Sequence, residues 1–112
     1  MIPNWEQMIA TVAGHPVRLE IDFDSLGGRH SLLMSLIHGT AAVIEAFMHG
    51  CFDPSIGPKL KRIGLIRTKA SPARDSDFST DGVSISVTIP VDQHGNHPSK
   101  ETYANELRGH FG

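Results

Sequence analysis

Two stretches of the chain alternate apolar and polar residues with a period of two. Val17-Arg18-Leu19-Glu20-Ile21-Asp22-Phe23-Asp24 sets Val17, Leu19, Ile21 and Phe23 on one side and four charges on the other. Val83-Ser84-Ile85-Ser86-Val87-Thr88-Ile89 repeats the pattern with hydroxyls in place of charges. Successive side chains of a strand point to opposite faces, so each run predicts a strand buried on one face only. Ile63-Gly64-Leu65-Ile66-Arg67-Thr68 predicts another strand between them.

Elsewhere the apolar residues recur at helical spacing. Trp5, Met8, Ile9 and Val12 predict a short first helix over residues 4–13, with Asn4 as its cap, Gln7 reaching back and Gly14 ending it. Leu33, Leu36, Ile37, Val43, Ile44, Phe47 and Met48 form one broad face over residues 31–49, with Ser31 as cap, and predict the helix that covers the sheet. Pro54 and Pro58 break the pattern, because an interior proline loses a helical hydrogen bond, and leave turns with one helical turn near residues 59–61. A last helix over residues 99–108 turns Tyr103 and Leu107 inward. Residues 69–82 show no apolar pattern; they read as a mobile loop at about 69–81 or a wide hairpin anchored by Phe78, with Asp81-Gly82 as the turn. Residues 109–112 read as a loosely held tail.

The order α-β-α-β-β-α implies a single α+β domain over residues 1–112, a mixed or antiparallel sheet of three to four strands with helices on one face. The first two strands are expected to run parallel around the long helix, and the third to return antiparallel. The uncovered face should carry Arg18, Glu20, Asp22 and Asp24 with Ser84, Ser86 and Thr88.

Composition narrows the function classes. Apolar residues are 39% and charged ones 20%, which is ordinary for a folded domain and far from the regime of disorder. Net charge is -2, so no global field draws the chain to a polyanion. The one cysteine, Cys51, cannot close an internal disulfide and reads as a packing residue in a reducing, cytoplasmic setting. The start Met-Ile-Pro-Asn-Trp-Glu-Gln has no basic, then apolar, leader pattern, and polar residues interrupt the apolar stretch 32–52, so neither export nor membrane insertion is expected.

Four constellations could carry chemistry. Ile21-Asp22-Phe23-Asp24-Ser25 resembles the opening signature of the haloacid-dehalogenase-type phosphotransferases, which implies Asp22 as nucleophile and Asp24 as general acid or base on a doubly wound sheet. The late acidic pair of that family has no counterpart here, and an alternating strand explains both aspartates as its solvent side. Asp92, His94 and His97 could place a carboxylate and two imidazoles around one ion, but they sit on a glycine- and proline-containing loop without a fourth ligand, so no metal or other cofactor is expected. On the long helix Glu45 and His49 lie one turn apart, while His38 is too far from His49 to share an ion. His15 and His110 read as exposed. Residues 59–74 hold six of the ten basic side chains and no acid, making Lys61, Arg62, Arg67 and Lys69 candidates for an anion. No aromatic residue is interleaved among them, which argues against nucleic acid, and they could instead pair with Glu20, Asp22 and Asp24 across strands. The resulting expectation is a non-catalytic module that binds a protein partner or a second copy of itself through the open sheet face. A small hydrolase built on Asp92, His94 and His97 is the alternative.

Overall fold

Helix α1 (Trp5–Ala13) begins where Asn4 accepts a hydrogen bond from the Gln7 amide and ends at Gly14, whose φ of 81° is left-handed. The computed structural model describes residues 4–112; the first three residues of the start that was read for a leader pattern lie outside them. Strand β1 (Arg18–Asp22) follows and stops earlier than its alternation implies. Asp22 caps a 3-10 turn, Phe23–Leu26, by accepting from the Ser25 amide. The Ser25 hydroxyl then accepts from the Ala70 amide at 2.8 Å, in the place where a further β1 residue would have paired. Phe23 is therefore 41% exposed rather than on the core face, while Val17 is buried and Leu19 and Ile21 are half-buried against the core.

A second 3-10 turn, His30–Leu32, leads into α2 (Leu33–Cys51), and among the described residues no side chain caps that helix; Ser31 lies inside the turn. The short helix α3 (Gly57–Leu60) carries Pro58 in its first turn, where the missing amide costs nothing. Strands β2 (Leu65–Ser71), β3 (Asp77–Thr80) and β4 (Ser84–Pro90) complete the sheet, and α4 (Lys100–Phe111) closes the chain. The segment read as a loop thus finishes β2 and contains a strand, which pairs with β4 through the Asp81-Gly82 turn.

The sheet order is β1-β2-β4-β3. β1 pairs parallel with β2 as expected, but β4 also runs parallel to β2, and the antiparallel member is β3 at the edge. β2 and β4 are interior, so neither can extend the sheet into a second copy by its edge. At the β1 edge the Leu19 amide donates to Glu6 of α1 at 2.7 Å, which satisfies one otherwise open backbone group.

The helices pack on the face that bears Ile66, Thr68, Ala70, Ile85, Val87 and Ile89. α2 lies close to it, because a Cβ on Gly39 would come within 2.7 Å of Ile89 Cγ2. Its Thr40 hydroxyl meets that of Thr68 at 2.9 Å inside the core. By length and composition residues His30–Cys51 could cross a membrane; in this fold 56% of that window is buried, and the apolar surface serves as core. The chain end is not a loose tail, since α4 continues to Phe111 and buries its ring. The architecture is a small α+β fold with a four-stranded mixed sheet.

Candidate functional site

Among the described residues no helix covers the other face of the sheet, and the strand register sets its side chains in rows. Glu20 lies beside Arg67, Arg67 beside Ser86, and Ser86 beside Ser79. One step along the strands, Asp22, Lys69, Thr88 and Asp77 form the next row. Viewed down the strands, β1 is an acidic column, β2 a basic one and β4 a column of hydroxyls. Between these columns lies a shallow concavity of about 470 Å³, lined by Glu20, Asp22, Arg67, Lys69, Ser86 and Thr88. The expected open face is present, with two changes: Asp24 has left it for the 3-10 turn, and Asp77 and Ser79 of β3 have joined it.

Arg67 Nε donates to Glu20 Oε1 at 2.9 Å, and Arg18 stands 3.8 Å from the other oxygen of that carboxylate. Both sides of the Arg67 pair are about half exposed, at 58% and 44%, so it is worth little stability and mostly orients the guanidinium. The cross-strand explanation of the basic segment therefore applies to Arg67. Lys69 sits beside Asp22 in the register, whereas Lys61 and Arg62 lie in the turn after α3 and away from the face. The four anion candidates do not converge.

Asp22 ends β1, and Asp24 lies in the 3-10 turn that follows, off the strand face. Asp22 is occupied in capping the 3-10 turn, and the sheet, bare on one face, is not the doubly wound one that the resemblance implies. Around the loop after β4, Asp92 Oδ1 accepts from the His94 and Asn96 amides at 2.9 Å each, and Oδ2 from the Asn96 side chain at 2.8 Å. These bonds, that of the Asn96 amide foremost, hold its carboxyl below the usual range. The aspartate staples its own loop through these bonds. Ser35 of α2 anchors the same loop by donating to the Asn96 carbonyl. His97 instead meets His38, ring centres 6.1 Å apart and edge to face. Among the described residues, no three His, Cys, Asp or Glu side chains come together as a metal would require.

The remaining candidates are structural. Glu45 and His49 form no ion pair among the described residues; the helical pair that forms is Glu106 with His110, at 3.4 Å. His15 is half-buried, contrary to expectation, and its Nε2 donates to the Ile63 carbonyl at 2.6 Å, tying the end of α1 to the approach of β2. Cys51 is buried and free, and burial pushes its thiol up, away from the reactive thiolate. Sequence patterns missed the part of β3 in the face, although Asp77-Phe78-Ser79-Thr80 does hold one short alternation. The chain matches no known family model, no characterised protein and no solved structure.

Proposed function

We propose that the chain is a self-associating interaction module that docks a second copy of itself through the open sheet face. One observation carries this reading: an acidic column, Glu20 and Asp22, stands in register beside a basic column, Arg67 and Lys69. A two-fold axis running along the strands, above the line between β1 and β2, lays β1 of each copy over β2 of the other. Glu20 then faces the second copy's Arg67, and Asp22 its Lys69, without any shift along the strands. An axis across the strands would set acid on acid and base on base, a like-charge stacking that disfavours it. The face is thus self-complementary in one orientation, as an isologous contact must be.

The test is a charge exchange followed by analytical ultracentrifugation. Variant one carries Glu20→Lys and Asp22→Lys, and variant two Arg67→Glu and Lys69→Glu. Wild type should associate at low salt and dissociate at high salt, each variant alone should stay monomeric, and an equimolar mixture of the two should form a heterodimer. Restored association in the mixture cannot come from damage to either fold. A wild-type protein that stays monomeric at millimolar concentration, or a mixture that fails to associate while wild type does, would overturn the reading.

A further inference from the structure

We infer that the step between β2 and β4 on the open face binds a small tetrahedral oxyanion, phosphate or a phosphate ester, through Arg67, Lys69, Ser86 and Thr88. The site stands on its own geometry. Its effect on assembly, competition with the second copy's carboxylates for the same two cations, rests on the self-association reading.

The register puts Arg67 beside Ser86 and Lys69 beside Thr88. Thr68 and Val87, between them, are buried on the helix side, so these four side chains share the open face, and all four line its concavity of about 470 Å³. Side chains two apart on a strand lie about 6.6 Å from each other and neighbouring strands about 4.8 Å, so two cations and two hydroxyls mark the corners of one small rectangle. Their donors are uncommitted. Ser25, Ser35, Thr40, Ser71 and Thr80 each spend a hydroxyl on a hydrogen bond inside the fold, whereas among the described residues the half-buried Ser86 and Thr88 hydroxyls hold none. Arg67 commits its Nε to Glu20 and keeps the other guanidinium N–H groups, and Lys69 makes no ion pair among the described residues. Glu20 is shared by Arg18 and Arg67, and Asp22 caps the 3-10 turn. Asp77 stands beyond Thr88, two strands from Lys69, while beyond Ser86 comes Ser79, so the anion's place is toward the Arg67 row. There it accepts charge-assisted bonds, about twice as strong as neutral ones. The two-fold contact lays β1 over β2, so the cations serve both guests and the β4 hydroxyls serve the oxyanion alone.

The experiment is a titration of inorganic phosphate at neutral pH followed by amide chemical shifts, with sodium chloride at matched ionic strength as control. Protein at about 20 µM keeps the chain monomeric, so the readout is independent of self-association. Phosphate should saturate shifts at Arg67, Lys69, Ser86 and Thr88, and chloride should not. A double variant, Ser86→Ala with Thr88→Val, should keep the fold and bind phosphate at least about tenfold more weakly, the effect of losing hydrogen bonds to a charged group. Lys69→Gln should weaken binding too, and Asp77→Asn should strengthen it by removing a like charge. Glycerol phosphate separates the sources: tighter binding than phosphate assigns the site to a phosphate ester, weaker binding to the free ion. In sedimentation at millimolar protein, phosphate should dissociate wild type more than chloride does, while the double variant should associate like wild type and respond alike to both salts. Shifts no larger than those from chloride, or an unchanged affinity in the double variant, would overturn the site. A protein that binds phosphate but never associates would keep the site and overturn the self-association reading instead.

Discussion

Thr40 in α2 and Thr68 in β2 are 0% and 2% exposed, and each hydroxyl is partnered by the other. Removing one leaves its partner unpaired in the core, so Thr40→Val or Thr68→Val alone is expected to cost about 1–3 kcal/mol, whereas the double change is close to neutral. Urea unfolding of the three variants checks this, and additive losses would show that the hydroxyls do not depend on each other. In the sequence each threonine is only a polar break in an apolar run, and neither run indicates that the two meet. Asp81 is a different case, legible as a turn residue before Gly82. It accepts from the amides of Val83, at 3.0 Å, and Ser84, at 2.7 Å, and from the Ser84 hydroxyl, and these bonds lower its pKa from the ordinary 3.8. A depressed carboxylate contributes its stabilisation fully above that ordinary value and loses it as pH falls through the lower, folded value. The Val83 and Ser84 amide shifts should therefore titrate with a midpoint below 3.8, and Asp81→Asn should abolish that step. A midpoint at or above 3.8 would mean that the turn bonds are not made in solution.

At the scale of elements, strong periodicity was readable and weak periodicity was not. β4, with Ile85, Val87 and Ile89 buried, matches its alternation. β2 runs on past Thr68 because the strand beside it continues to Pro90, and its covered face there is Ala70, too small to mark a strand by itself. β3 has a single large apolar residue, Phe78, and exists because β4 offers it an edge and α4 a surface. Its protection from exchange should lie between extremes. Amides of β2 and β4 should exchange slowly, residues 73–76 fast, and Asp77–Thr80 at intermediate rates. Exchange of β3 as fast as that of residues 73–76 would return the segment to a mobile loop.

For the whole molecule, net charge says little and its arrangement says more. A total of -2 hides an acidic and a basic column one strand apart, about 4.8 Å. Exposed ion pairs contribute about 0–1 kcal/mol each, and a contact two strands wide falls below the roughly 1,200 Å² of stable interfaces. The self-association that the charge exchange tests is thus expected to be weak, with a dissociation constant on the order of 0.1–1 mM, and strongly salt-dependent. Its specificity comes from the columns, because like charges face each other in the wrong orientation.

What the sequence determined by itself was local: which faces are apolar, that helices cover one side of the sheet, and that the other side is polar. These follow from periods of two and 3.6, which any neighbour must respect. The tertiary structure alone decided which strands adjoin, and so that Glu20 and Asp22 stand beside Arg67 and Lys69, and that β4 runs parallel to β2. Register and packing are relations between distant segments, and a pattern along one segment carries no information about the charge or hydroxyl it will meet.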